Sequence, residues 1–223
     1  MNEVLFILTI ILCFFITLMI YKKLGKVGLF VWVALATIIS NIQTIKLVNL
    51  FGIETSLGTI LYGSVFLAND ILSEKYGKNQ AIKTLYIGFF AMIIMTLFMG
   101  ISILYIPAPA DFANDSLKSI FSLNLRITIG SLIGFSISQL IDTYLYDYLN
   151  KKSCVLWFKN NVSTIVSQLI DTIVFCTITY YGSVKFSVLF KIMISMYTFK
   201  FIIALMDTPF LYLAKKIKVR NEE

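Results

Sequence analysis

Asp142, Asp171 and Asp207 stand inside long apolar stretches, and Asp70 and Glu74 close another. An ionised residue at the centre of a membrane span costs on the order of 2.5–3.5 kcal/mol on insertion scales, so such residues normally face a protein interior or a wet cavity and mark a pathway. Two of these aspartates belong to a repeat. Ser138-Gln139-Leu140-Ile141-Asp142-Thr143 returns unchanged as Ser167-Gln168-Leu169-Ile170-Asp171-Thr172. On a helix, Ser and Asp four apart and Gln and Asp three apart share one face. The stripes continue as Ser131, Gly134, Ser138, Asp142 and as Asn161, Thr164, Gln168, Asp171, with Tyr197, Lys200, Ala204, Asp207 beside them. Polar glue between helices is the plainer reading. Glue usually draws on Ser, Thr or Asn, and three aspartates favour a lined cavity.

Such a cavity suits a flat, amide-like ring. Carboxylates accept paired N–H groups, and Phe135, Tyr144, Phe175, Tyr180 and Tyr197 offer aromatic faces, as in the recognition of flipped bases. An aspartate cluster also suits protons or metal cations. Histidine is absent from the sequence, which excludes histidine acid–base chemistry, His metal sites and Ser-His-Asp hydrolysis. Cys13, Cys154 and Cys176 lack Cys-x-x-Cys spacing, so neither a disulfide framework nor a zinc site is expected. No phosphate-binding Gly-x-x-x-x-Gly-Lys loop is present. An enzyme is therefore not expected, nor a cofactor or a metal. Four basic residues fall within apolar segments. Lys46, Arg126 and Lys191 lie near segment ends, where long side chains snorkel. Lys200 lies roughly 18 Å from the start of its segment at 1.5 Å per residue, near mid-membrane.

The elements that must position these residues follow from composition. Of 223 residues, 58% are hydrophobic and only 14% charged. A soluble domain carries about 45–50% apolar and about 25% charged residues. Seven apolar segments stand out, at about 4–21, 28–49, 55–72, 81–106, 122–149, 161–181 and 188–214. They are continuous rather than alternating, so helices are expected and strands are not. The third is the weakest, being short and interrupted by Gly58 and Gly63. Thirteen basic residues fall in the first, third and fifth loops and the tail, against two (Lys118 and Lys185) in the alternate loops. The positive-inside rule then sets the N-terminus outside and the C-terminus in the cytoplasm. The +7 formal charge is thus mainly a record of orientation, and nucleic acid is not an expected partner. The expected fold is all-α, a polytopic membrane bundle of six or seven helices. It forms one domain over 1–223, with an additional first span ahead of a core at about 28–214. At 1.5 Å per residue, Asp142 and Asp207 lie about 12 Å and Asp171 about 16 Å from the cytoplasmic boundary, nearly one level.

At these residues the chain resembles the queuosine precursor transporter family, grouped with vitamin-uptake-type carriers. The resemblance runs from Asn41 to Lys215. It includes Asn41, Gln43, Lys46 and Gly58, then Phe66, Asn69, Asp70, Glu74, Tyr76 and Gly77 in one signature. Arg126 with Ser138, Gln139 and Asp142 forms the next, Asn161 with Ser167, Gln168 and Asp171 another, and Lys200 with Pro209 the last. Ser73 stands where the signature often has Asn, and Asp207 has no counterpart in it. The resemblance implies uptake across the plasma membrane of a 7-deazaguanine, such as 7-cyano-7-deazaguanine or 7-aminomethyl-7-deazaguanine, for queuosine synthesis in transfer RNA. It implies substrate contacts at Asp142, Asp171, Gln139, Gln168, Asp70 and Glu74. Arg126 and Lys200, with Asp207 from the depth argument, would balance charge or gate. The intramembrane carboxylates also make protons a candidate coupling ion. A substrate-capture subunit of an ATP-driven vitamin transporter and a structural membrane protein are the alternatives.

Overall fold

A computed structural model describes residues 1–121, 125–182 and 184–219, with all side chains among them except those of Glu54 and residues 125–128. The order is α1 (Asn2–Gln43), β1 (Leu47–Leu50), β2 (Ile53–Ser56), α2 (Gly58–Tyr76), α3 (Lys78–Ser102), α4 (Asn114–Phe121), α5 (Leu125–Lys151), α6 (Leu156–Tyr180) and α7 (Phe186–Lys216). A straight helix the length of α1 would reach about 63 Å, twice the roughly 30 Å of bilayer hydrocarbon. It breaks at Gly25, whose φ of 58° and ψ of −143° suit glycine alone. The chain reverses there. Asn2 donates to the Asn49 carbonyl at 3.1 Å, and the Phe51 amide reaches Glu3 at 3.4 Å, so both ends of α1 share one side of the bundle. The first two apolar segments are these two arms.

The second segment ends as helix at Gln43 rather than Asn49. Leu47–Leu50 and Ile53–Ser56 instead form an antiparallel hairpin. Phe51 and Gly52 both have positive φ, the arrangement of a tight two-residue hairpin turn. The expectation of no strands fails here, at a loop rim where β-branched residues pair locally, while the bundle itself is helical.

Among the described residues, four helices, α1, α3, α6 and α7, are long and apolar enough to cross a membrane by length and composition. Helix α3 shows the pattern of a lipid-facing span. Its buried residues, Ala81, Thr84, Gly88, Met92 and Met95, form one stripe. Helix α2 is the opposite: Gly58 through Ser73 are buried except Tyr62, so it runs down the middle of the bundle. That place explains its weak apolar signal, because a central helix faces protein rather than lipid. Trp32 Nε1 donates to Ser64 at 3.1 Å across the α1–α2 interface. A Cβ on Gly63 would stand 2.2 Å from Ile203 Cγ2, so glycine lets α2 and α7 approach closely.

The loop charges sort as their alternation implies. Lys26 sits 6.0 Å from the Tyr76 ring, Lys78 lies 3.4 Å from the Tyr144 ring, and Lys75 donates to the Lys215 carbonyl at 2.7 Å. The first, third and fifth loops and the end of α7 therefore gather at one lysine-rich end.

Candidate functional site

The repeated motif meets itself. Helices α5 and α6 are antiparallel, and Ser138 donates to Asp171 at 3.5 Å while Ser167 donates to Asp142 at 3.3 Å. Each serine serves the aspartate of the other copy, so the two motifs form a local pseudo-two-fold cross. Leu140 and Leu169, between Gln and Asp in each copy, point outward and are exposed. The aspartates accordingly sit at two levels. Asp142 is one helical turn, about 6 Å, closer to the lysine-rich end than Asp171. Gly134 makes the crossing possible: a Cβ there would lie 2.9 Å from Asp171 Oδ1.

Asp171 and Lys200 form a buried ion pair across α6 and α7. Both line an open recess with about 550 Å³ of empty space, solvent at its mouth included. Ser40, Asn41 and Thr44 around the end of α1, Ser56 at the end of β2, and Gly58 and Thr59 at the start of α2 rim it. The recess thus lies toward the end opposite the lysines. Tyr62, Phe135 and Phe175 supply its aromatic walls, with the Tyr62 and Phe135 rings 6.1 Å apart. Beneath it runs a narrow crevice lined by Gln168, Lys200, Ala204 and Asp207, among others. Thr59 and Lys200 border both spaces.

Three more carboxyl groups lie at and behind the crevice. Asp70, Asp142 and Asp207, from α2, α5 and α7, are all buried. Asn69 donates to Asp142 at 3.0 Å and accepts from Thr84 at 2.8 Å. Thr164 donates to Asp70 at 3.3 Å, and Asn160 donates to Asp207 at 2.8 Å. A third network gathers on Glu74 at the lysine-rich end. Tyr146 donates to it at 2.9 Å, Lys215 at 2.7 Å, and the buried Lys159 pairs with it too. Lys159 also donates to Asn150 at 2.6 Å.

Of the six residues expected at the substrate, Asp171 lines the recess and Gln168 the crevice under it. Asp142 and Asp70 stand together behind, and Glu74 lies apart at the lysine-rich end. Gln139 is buried with neither amide atom hydrogen-bonded among the described residues. Lys200 and Asp207 border the crevice, whereas the Arg126 side chain lies outside the described residues. Sequence reasoning missed Tyr62, Asn160 and the rim residues Ser40 and Thr44, and named Asn41 only within the resemblance. Lys159, one of the thirteen basic residues of the loops and tail, is a buried partner of Glu74. An Asn160-Asn161 pair opening an apolar helix was the available signal.

A membrane-length helix bundle with an ion-paired recess and buried carboxyl groups defines a solute carrier of the membrane. Residues 56–214 match the family described as putative vitamin uptake transporter. The chain is 39% identical over its whole length to the probable queuosine precursor transporter of Bacillus subtilis, covering 98% of that protein. It is 26% identical over 136 residues to the probable queuosine precursor transporter of Haemophilus influenzae, covering 60% of this chain and 56% of that one. To the queuosine precursor transporter of Escherichia coli it is 23% identical over 164 residues, 73% of this chain and 71% of that one. The chain belongs to the queuosine precursor transporter family, a family of membrane carriers and not of enzymes. No solved structure matches it.

Proposed function

We propose that this chain takes up queuosine precursors, 7-deazaguanines such as 7-cyano-7-deazaguanine or 7-aminomethyl-7-deazaguanine, across the cytoplasmic membrane. The whole of 1–223 acts as one transport unit. The lysine-rich end faces the cytoplasm by the positive-inside rule, so the N-terminus is outside and the C-terminus inside. The recess then faces the outside. The observation that carries the reading is a carboxylate, Asp171, set between aromatic walls in that recess. A guanine-type edge presents an N–H and an amino group side by side, and Asp171 accepts both. Phe135 and Phe175 hold the ring faces. Lys200 balances Asp171 while the site is empty. Gln168 meets the substrate as it moves inward, toward Gln139, Asp142 and Asp70 deeper in the bundle. Glu74 holds the cytoplasmic end shut through Lys159 and Lys215.

The test is salvage in cells unable to make the precursor. With the chain expressed and the base supplied at low concentration, queuosine appears in transfer RNA. Queuosine no higher than in the empty-vector control, with the protein verified in the membrane, overturns the proposal.

A further inference from the structure

We infer that Asp70, Asp142 and Asp207 form the site of the proton that couples uptake to the proton gradient; this rests on the transport reading above and places its coupling ion. The three carboxyl groups come from α2, α5 and α7 and are 0%, 0% and 1% exposed. None has an ion-pair partner among the described residues. The nearby cations are already engaged, Lys200 by Asp171 and Lys159 and Lys215 by Glu74. Asn160, Thr164 and Ser167 hold Asp207, Asp70 and Asp142 in turn along one face of α6, and unpaired buried charges so placed lose their hydration.

Most of the unmet atoms around the cluster are acceptors, Gln139 Nε2 being an unmet donor. Asp70 Oδ1, Asp207 Oδ2, Asn160 Oδ1 and Gln168 Oε1 are all buried acceptors without a donor. What the space lacks is hydrogen, which protonated carboxyl groups supply. A metal cation fits less well, because among the described residues no three acidic groups lie close enough together to hold one.

The position suits coupling. Asp207 and Lys200 border the same crevice, and Lys200 also borders the recess where Asp171 waits. A neutral base that engages Asp171 loosens the Lys200 pair. The freed cation then pairs with Asp207, and the displaced proton leaves toward the cytoplasmic side, the direction in which the base moves. Other ionisable neighbours are Asp171 on α6, outward, and Glu74, Tyr146 and Lys159 toward the lysine-rich end. Helix α3 contributes the neutral Thr84.

The test uses the full-length protein in liposomes with radiolabelled 7-cyano-7-deazaguanine. Wild type accumulates the base when the lumen is alkaline and exchanges it in counterflow without a gradient. Asp207→Asn keeps counterflow and loses gradient-driven accumulation. Accumulation by Asp207→Asn equal to wild type overturns the inference, as does wild-type accumulation that follows a sodium gradient and ignores pH. Absence of wild-type counterflow overturns the transport reading itself, and the inference with it. Independently of transport, infrared spectra of the purified protein at neutral pH show a carboxylic-acid C=O stretch that weakens in Asp70→Asn and Asp207→Asn. A spectrum without that band overturns the inference even if uptake is intact.

Discussion

Lys200→Met removes one half of a buried ion pair and leaves the other half in place. The Lys200 and Asp171 side chains are 5% and 9% exposed, so Asp171 cannot turn to bulk water for compensation. Its remaining described donor is Ser138, at 3.5 Å. Breaking a buried pair from one side costs about 3–5 kcal/mol. At about 2–4 °C per kcal/mol for a chain of this size, the melting temperature should fall by roughly 6–20 °C. The double variant Lys200→Met/Asp171→Asn removes both charges. Met keeps the length of the lysine stem and Asn the shape of Asp171, so most of the loss returns. The assay is thermal unfolding of the purified protein in detergent, with both single variants, the double variant and wild type compared as a cycle. The double variant should be stable and inactive in uptake, because the recess has lost its carboxylate. Single variants that melt within about 2 °C of wild type would refute the reasoning, since a desolvated charge left alone must cost more than that. A double variant no more stable than the singles would refute it equally.

Three further outcomes follow from the geometry. Asp171→Asn loses charge-assisted hydrogen bonds to the base worth about 1.5–3 kcal/mol, so uptake at low substrate should fall roughly ten- to a hundredfold; unchanged uptake in the salvage assay would reduce Asp171 to helix glue. Gly134→Ala presses a methyl against Asp171 Oδ1, 2.9 Å away, and should lower both uptake and stability, the latter by about 1–3 kcal/mol, read by initial rates and melting. Gly25→Ala forces a side chain onto a backbone conformation reserved for glycine, at a cost of about 1–3 kcal/mol. It should reduce the amount of protein in the membrane, measured by immunoblot, while leaving activity per molecule near wild type.

The helices and their order were legible because a bilayer demands long apolar runs, and the lysines recorded which loops belong together. The repeated Ser-Gln-Leu-Ile-Asp-Thr motif also announced a shared face. Its periodicity could say that Ser138 and Asp142 point the same way, but not that Ser138 would meet Asp171. That pairing depends on the antiparallel crossing at Gly134, a matter of tertiary contact. The same limit hid the second level of the aspartates, since counting residues from loop boundaries ignores where helices slide past each other. Helix α2 read as the weakest span for a physical reason, because its faces meet protein and have no need of lipid-compatible residues. The hairpin at Leu47–Ser56 was hidden by its apolar composition, which continues the preceding segment without a break. Lys159 was misjudged because lysines beside a loop are usually solvated, and only the fold brings Glu74 to it.

The central claim is that this one chain binds and moves a 7-deazaguanine. Counterflow in liposomes containing only the purified protein tests it most directly. Vesicles preloaded with unlabelled 7-cyano-7-deazaguanine should draw in the labelled base, and excess unlabelled base outside should abolish the signal. Asp171→Asn protein reconstituted at the same density should show little of it. Wild-type vesicles that take up no more label than protein-free vesicles would contradict the account.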